Sequence, residues 1–163
     1  MLKKLLSRET CAECKLCCHF ESYDVWNTPL LTPELRDKAK ILLPDAEFLS
    51  FGQNSYRFRI RLREQQEFFS CPLLDPEHGC MLGDEKPFTC QIWPFSIMEL
   101  HGRQLISVAA FCEPMMKYSM QTLLAFLKSG LSEKIFAYAE QHPDMIQPYD
   151  DFYPVLLWKP LKF

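Results

Sequence analysis

The cysteines are the residues of this chain whose type and spacing could do chemistry. Eight cysteines occur among 163 residues, and the first four form the run C-x2-C-x2-C-C. A two-residue spacing lets one turn present two sulfurs to the same metal, as in zinc ribbons and iron–sulfur loops. Thiolates select zinc or iron–sulfur clusters over magnesium or calcium. The sequence therefore predicts a metal site, whose candidate ligands are Cys11, Cys14, Cys17, Cys18, Cys71, Cys80, Cys90 and Cys112.

The number of metal centres stays open at this point. Four sulfurs satisfy one tetrahedral zinc or one 4Fe–4S cluster, whereas eight satisfy two sites or one bridged site. The side chains of Cys17 and Cys18 diverge, so they either serve different metal atoms or one of them is not a direct ligand. His19 follows directly and is expected outside the ligand set. Because neither half of the motif closes a coordination shell alone, we expect the N-terminal sulfurs to lie within a few ångströms of a downstream cysteine.

The downstream cysteines lie among prolines and aromatic residues. Pro72 follows Cys71, and two further prolines flank Cys90 within residues 86–94. Proline fixes φ and removes a competing donor, which holds a loop rigid around a site. Burial tunes the potential of a cluster, and the rings expected to shield it from water are Phe88, Trp93 and Phe95.

Taken together, these motifs resemble the CxxCxxCC family over roughly residues 10 to 115. The resemblance rests on Cys11-Ala-Glu-Cys14-Lys-Leu-Cys17-Cys18, Cys71-Pro72-Leu73-Leu74-Asp75, Gly79-Cys80 and Lys86-Pro87-Phe-Thr-Cys90-Gln-Ile-Trp93-Pro94. It implies a domain that chelates zinc or iron through eight cysteines. Some members of the family are similar to flagellin lysine N-methylases.

The chain departs from the pattern of that family in three places. Lys86-Pro87 stands where the family has Arg-Pro, and Cys90-Gln-Ile-Trp93-Pro94 stands for Cys-Arg-x-Phe-Pro. The interval between Cys80 and Cys90 is also one residue longer. These departures bear on arginine-dependent contacts with a substrate or phosphate, and they leave the ligand set intact.

Charge and hydropathy limit the partners and the compartment. The net charge of −3, from 18 basic and 21 acidic residues, gives no general attraction to nucleic acid or to an acidic membrane. The N-terminus lacks the apolar run of a secretory signal, and no stretch approaches the ~18 apolar residues of a membrane span. We therefore expect a cytoplasmic protein whose thiols stay reduced, with a metal ion or cluster as partner and no nucleic acid or membrane.

Around the cysteines, the pattern of elements predicts an α+β fold with short antiparallel hairpins, several helices and loops organised around the metal site. We expect one domain over residues 1–163, with the motif region at about 10–115 and a helical and extended part at about 114–163. Thr32-Pro33-Glu34 has the residues of a helix start, and Pro44 ends that helix. Apolar and arginine residues alternate over 54–63, which predicts a half-buried strand with a solvated arginine face that pairs with acids. This strand is expected to pair with residues 47–51.

Further elements are expected in the second half of the chain. A hairpin around His101-Gly102 is expected to join residues 96–100 to 103–109. Residues 114–128 read as a helix with Met116, Met120, Leu123, Leu124 and Leu127 on one face, and Gly130 stands at the C-terminal cap. A further helix runs from Ser132 to about Gln141, and the last twenty residues are expected to be extended.

Three functions remain open from the sequence. The first is a metal-binding protein that holds an iron–sulfur cluster or zinc for structure, metal handling or electron transfer. The second is a protein-modifying enzyme, such as a lysine N-methylase, which would add a protein substrate as partner and use the cluster as scaffold or participant. The glycines never cluster after a strand, so a conventional nucleotide- or S-adenosylmethionine-binding fold has no support. The third is a thiol redox switch without metal.

Overall fold

The computed structural model describes residues 1–2, 4–20, 24–61 and 67–161, and it confirms the α+β class. The chain divides into two compact units, Leu2–Gln91 and Ile92–Phe163, the second of which also includes Met1. The expectation of a single domain stays a prediction. Each unit is described by itself below.

The N-terminal unit consists of short elements joined by turns. Its helices are α1 (Arg8–Cys14), α2 (Pro33–Leu42) and α3 (Phe88–Ile92), the last of which crosses into the second unit. Its strands form three antiparallel pairs. These pairs join β1 (His19–Phe20) with β4 (Phe69–Ser70), β2 (Phe48–Phe51) with β3 (Ser55–Phe58), and β5 (Leu74–Asp75) with β6 (Gly79–Cys80).

Helix α2 begins where its sequence predicts. The Thr32 hydroxyl accepts a hydrogen bond from the Leu35 N–H at 3.3 Å, and Pro33 occupies the first turn. Leu43 lies just beyond the last helical residue, before Pro44. This helix packs against β3 and contributes Ala39 to the apolar core of the unit. The buried members of that core are Leu31, Ala39, Phe58, Leu73 and Leu82.

Arg57 corrects the expectation of a solvated arginine face. Its side chain is 1% exposed, and its guanidinium lies over the rings of Trp26 and Phe51, at 4.8 and 4.4 Å from their centroids. Its Nη1 donates to the carbonyl oxygens of Val25, at 2.8 Å, and Thr28. The interpretation fails because residues 24–28 cover this face of the hairpin, and their carbonyls and the two rings compensate the buried charge.

The strand that carries the alternating arginines is shorter than expected. Arg59 and Arg61 are exposed and pair with Glu47, at 3.9 and 3.0 Å, as the solvated face predicts. However, β3 ends at Phe58, so the predicted continuation of the strand through 59–61 is wrong. Residues 62 and 63 lie outside the described ranges.

The C-terminal unit is a four-stranded sheet with helices. The sheet has the order β10 (Val155–Trp158), β8 (Arg103–Val108), β7 (Phe95–Leu100), β9 (Gln147–Pro148), and only the β7–β9 pair is parallel among these strands. The expected hairpin around His101-Gly102 is confirmed. Both turn residues have positive φ, 51° and 73°, which is the backbone that two-residue hairpin loops favour.

The helix expected over 114–128 is two helices. They are α4 (Glu113–Met116) and α5 (Met120–Phe126), and Ser119 begins the second by accepting a hydrogen bond from the Thr122 N–H at 3.1 Å. The expectation is wrong at the break because Ser119 caps a helix better than it continues one. Met116 and Met120 consequently lie exposed rather than on the buried face.

The remaining elements of this unit largely follow the sequence. Gly130 has φ 113° and interrupts the helical path before α6 (Ser132–Gln141), as its predicted capping position requires. A short 3₁₀ turn, Pro143–Met145, overlaps the start of the last twenty residues, and the segments that form β9 and β10 follow it. Six of these residues lie in the two strands and a turn at residues 151–153 separates the strands, so the expectation of an extended segment is confirmed only in part.

Candidate metal centre

Seven of the eight candidate ligands belong to the N-terminal unit. Cys112 is in the C-terminal unit, where it is buried and precedes α4. All eight cysteines are among the described residues, and none of them forms a disulfide. The assignment of Cys112 to the metal site stays a prediction.

The N-terminal run of cysteines folds into a helix and a tight turn. Cys11 and Cys14 lie on α1, which ends because Lys15 adopts the left-handed conformation at φ 54°. The chain then reverses through a 3₁₀ turn at Leu16–Cys18, in which the Cys18 N–H donates to the Lys15 carbonyl at 2.8 Å. One short segment thus presents four thiols in two successive turns.

The β1–β4 ladder brings Cys18 opposite Cys71. His19 pairs with Ser70 in this ladder, and the Cys71 N–H donates to the Cys18 carbonyl at 2.8 Å. Cys18 and Cys71 each adjoin the end of this ladder, so the backbone hydrogen bond holds the two cysteines next to each other. The His19 Nδ1 lies 2.9 Å from the Ser70 Oγ, which supports its expected place outside the ligand set.

The β5–β6 hairpin brings Cys80 against α1. Gly79 has φ 82°, and a Cβ added there would lie 3.3 Å from the Cβ of Ala12. The Lys15 ammonium also donates to the Pro76 carbonyl in the loop of this hairpin. The glycine therefore permits the close approach that places Cys80 beside the helix carrying Cys11 and Cys14.

Backbone amides are directed at two of the downstream sulfurs. The N–H of Leu73 lowers the pKa of the Cys71 thiol, although burial dominates and raises it. The N–H groups of Leu82 and Gly83 act in the same way on the pKa of Cys80, which burial likewise raises. Gly83 has φ 58°, and this turn carries both amides to one sulfur. Sequence reasoning missed this feature, whose signal is the glycine three residues after Cys80.

Burial is the main influence on the thiols around Cys90. It raises the pKa of Cys90 to about 12, and it also raises the pKa of Cys11. The pKa of Cys17 is raised first by a hydrogen bond with the Cys18 side chain and then by burial. The thiols are therefore neutral at physiological pH in the metal-free protein.

Cys17 and Lys86 act on most of the other thiols. When Cys17 is ionised, its thiolate contributes to raising the pKa of Cys11, Cys71, Cys80 and Cys90. The ammonium of Lys86 opposes this and lowers the pKa of Cys11, Cys17, Cys80 and Cys90. Such couplings act over several ångströms, so these groups form one electrostatic cluster, which we call the thiol cluster.

The thiol cluster is not a coordination shell as it stands. Within the part of the chain that the structure describes, no group of three or more His, Cys, Asp or Glu side chains could hold a metal ion. Charges influence the pKa of one another over distances much longer than a zinc–sulfur bond of about 2.3 Å. The thiols are therefore coupled electrostatically without forming a coordination shell. The donor chemistry fits zinc or an iron–sulfur cluster, and closing the shell requires the sulfurs to approach one another.

The segment around Cys90 is held by local hydrogen bonds. The Gln91 side chain donates to the Lys86 carbonyl at 2.7 Å, and the Gln91 N–H donates to the Pro87 carbonyl at 2.9 Å. Phe88 opens α3 in the N-terminal unit. Trp93 and Phe95 belong to the C-terminal unit, where Trp93 contacts Phe111 at 5.5 Å between ring centroids. Their shielding of the cysteines stays a prediction.

Comparisons with known proteins add no relative. No protein-family model, curated protein or solved structure matches this chain. The resemblance to the CxxCxxCC family thus stays a prediction that depends on the cysteine motifs. Among the described residues, no helix combines the length and apolarity needed to cross a membrane.

Proposed function

We propose that this chain is a metal-binding cysteine-cluster protein, which holds zinc or an iron–sulfur cluster through thiolates in the reducing cytoplasm. The observation that carries the proposal is the set of backbone N–H groups directed at Cys71 and Cys80, within a unit that gathers seven cysteines. Amides that donate to sulfur stabilise the thiolate form. A buried thiol that only packs in the core does not need backbone N–H groups directed at its sulfur.

The cysteines of the thiol cluster are the ligands best supported by their surroundings. They are Cys11, Cys17, Cys71, Cys80 and Cys90, with Cys14 and Cys18 on the same segment as the first two. Zinc bound there would fasten the short elements together, and a 4Fe–4S cluster would add one-electron transfer. Lys86 offsets part of the negative charge that several thiolates bring to the site.

The burial and the arrangement of the thiols also bear on how the protein binds its metal. Because burial keeps the thiols of Cys11, Cys71, Cys80 and Cys90 neutral, metal binding must release their protons. Because no ready-made shell exists among the described residues, binding must also draw α1 and its following turn toward the loops that bear Cys71, Cys80 and Cys90. The proposal therefore couples metal uptake to local folding.

Metal content after anaerobic purification tests the proposal. We expect either brown protein with iron and acid-labile sulfide or colourless protein with zinc, in stoichiometric amounts per chain. A His19→Gln variant is the matched control, since this residue adjoins Cys18 but its ring nitrogen hydrogen-bonds to Ser70, and it should retain full metal content. Reduced, folded protein that takes up neither zinc nor iron with sulfide would overturn the proposal. Reversible disulfide formation in that protein would favour a thiol redox switch.

A further inference from the structure

Aromatic rings contact one another at one end of the C-terminal sheet. The ring centroid of Phe111 lies 5.5 Å from that of Trp93 and 5.9 Å from that of Tyr153. Phe111 is nevertheless 50% exposed, and Phe152, the residue before Tyr153, is 84% exposed. We call these four side chains the aromatic patch. Because exposed apolar patches on folded domains commonly mark interaction sites, this surface is a candidate for binding a partner.

The strands of the C-terminal unit hold the aromatic patch together. At this end of the sheet β7 begins, β8 ends and β10 begins. The Ala109 N–H donates to the Pro94 carbonyl at 2.9 Å, and the Val108 N–H donates to the Pro154 carbonyl at 3.1 Å. Each proline directly follows an aromatic residue of the patch. The rings therefore sit on segments that the sheet already fixes, which lowers the entropy lost on binding.

Carboxylates border the aromatic patch. Asp150 and Asp151 lie in the turn that carries Phe152, and the Asp150 Oδ1 accepts a hydrogen bond from the Phe152 N–H at 3.0 Å. Glu113 begins α4, two residues after Phe111. All three acidic residues are exposed. Among the residues that the structure describes, no lysine, arginine or histidine forms an ion pair with them.

The charge around the patch selects the kind of partner. The segments that carry it, residues 91–94, 109–117 and 148–155, contain three acidic residues and one basic residue, Lys117. Nucleic acids and acidic membranes are negatively charged, and a second copy of this chain would bring the same carboxylates together, so all three are disfavoured. A cationic partner suits both features, because guanidinium groups stack on aromatic faces and also bind carboxylates.

We propose that the aromatic patch is a docking surface for a basic, arginine-bearing segment of another protein. The arginine side chains stack on the exposed rings, and Asp150, Asp151 and Glu113 compensate their charges. Aromatic residues are enriched among the side chains that dominate the affinity of protein interfaces. The inference goes beyond the proposed function and does not depend on it, because no ring or carboxylate of this surface is a candidate metal ligand.

Binding of a basic peptide to the full-length protein tests the inference. The probe is a short fluorescent peptide of alternating arginine and serine, and the control peptide has glutamine in place of each arginine. Fluorescence anisotropy measures the affinity of both. We expect saturable binding of the arginine peptide that weakens as the salt concentration rises, because salt screens the carboxylates. The glutamine peptide should not bind.

Variants of the patch locate the binding. Phe111→Ala removes the ring that contacts two others and should weaken peptide binding by about 5-fold or more. Phe152→Ala and Asp151→Asn change exposed side chains, so they should fold normally and weaken binding by about 2- to 5-fold. Phe68→Ala is the matched control, since this ring of the N-terminal unit is 48% exposed, and it should bind as the wild type does. Thermal melts check the folding of each variant.

The outcomes decide the inference whatever the metal content of the protein. Weaker binding in the three patch variants, with normal binding in Phe68→Ala, would support it. Absence of saturable binding, equal binding of the glutamine peptide, or unchanged affinity in Phe152→Ala and Asp151→Asn would each overturn it. Analytical ultracentrifugation adds a further outcome. A dimer that Phe111→Ala abolishes would mean that a second copy of the chain covers the patch, which also contradicts the inference.

Discussion

Cys17 and Cys18 are neighbours in sequence, but they interact differently with the other cysteines. When Cys17 is ionised, its thiolate raises the pKa of Cys71, Cys80 and Cys90. Cys18 contributes a side-chain hydrogen bond to Cys17, and its backbone carbonyl accepts from Cys71. Cys17 is therefore coupled electrostatically to the other members of the thiol cluster, whereas the backbone of Cys18 bonds to that of Cys71 beside the β1–β4 pair.

Substitution of these two cysteines should accordingly have unequal effects. We expect Cys17→Ser to abolish metal binding, because serine binds soft metals far more weakly than a thiolate does. Cys18→Ser should leave most of the metal in place if there is one centre. The measurement is metal per chain under reducing conditions for both variants. Full occupancy in both variants would mean that neither cysteine is a ligand.

The raised thiol pKa values predict how the metal-free protein responds to pH. An unfolded thiol ionises near pH 8.5, whereas burial keeps Cys90 protonated up to a pKa of about 12. Between these values the unfolded state binds fewer protons, so the free energy of unfolding falls as pH rises. Each such thiol contributes a slope of about 1.4 kcal/mol per pH unit. Urea unfolding with chelator and reductant, from pH 7 to pH 10, measures this loss.

The matched control for the pH experiment is Cys90→Ala, which removes the titrating group. This variant should show a shallower decline of stability above about pH 8.5. A decline as steep as that of the wild type would mean that other thiols carry the effect. Stability that is independent of pH in this range would contradict the burial of these sulfurs.

At the scale of elements, Gly79 controls the contact between α1 and the β5–β6 hairpin. Gly79→Ala introduces a Cβ at 3.3 Å from Ala12 in a residue with φ 82°. We expect a loss of about 1–3 kcal/mol in the free energy of unfolding together with weaker metal binding, because Cys80 moves away from α1. Thermal melts and metal titration measure the two effects.

Gly102→Ala is the control for Gly79→Ala. Gly102 has φ 73°, but no atom lies within 4 Å of its added Cβ. It should lose stability through the left-handed backbone alone, and its metal binding should match the wild type. Weakened metal binding in Gly102→Ala, or normal binding in Gly79→Ala, would remove the specific role of the α1 contact.

The burial of Arg57 predicts that this residue anchors the segment before α2. Arg57→Met keeps much of the length of the side chain but leaves the carbonyls of Val25 and Thr28 without their charged donor. We expect a loss of about 2–3 kcal/mol in the free energy of unfolding. Arg59→Met, on the exposed face, should change it by no more than about 0.5 kcal/mol. Equal effects in chemical unfolding would contradict the anchoring role.

At the scale of the molecule, the short strand pairs of the N-terminal unit do not account for its stability by themselves. The strands β1, β4, β5 and β6 are two residues each, and such pairs are not stable alone in water. The segments 10–31 and 64–95 are also poor in periodic apolar residues. Metal ligation would supply the missing order, since metal-binding free energy is folding free energy.

Removal of the metal should therefore loosen one part of the chain selectively. We expect chelation to lower the melting temperature and to expose residues 10–31 and 64–95 to protease. The four-stranded sheet of the C-terminal unit should remain protected. Limited proteolysis with mass spectrometry, with and without chelator, measures both. Metal-free protein that melts at the same temperature and resists protease equally would make the metal peripheral to the fold.

The sequence by itself determined the features whose causes are local. Thr32-Pro33-Glu34 begins a helix, His101-Gly102 turns a hairpin and Gly130 interrupts a helix, because capping and positive φ depend on a few adjacent residues. The eight cysteines and their spacing likewise identify the kind of site, because sulfur selects soft metals whatever the fold.

The tertiary structure decided the features that depend on distant segments. Arg57 is buried because residues 24–28 cover it, although alternation alone places it in solvent. Cys18 stands opposite Cys71 because a strand pair joins residues about fifty positions apart. The hydrogen bonds at the Cys80 sulfur likewise depend on the turn that brings the N–H groups of Leu82 and Gly83 to it. Side-chain burial and strand pairing depend on contacts between segments that are far apart in the sequence. The local pattern of residues does not specify which of these segments come into contact.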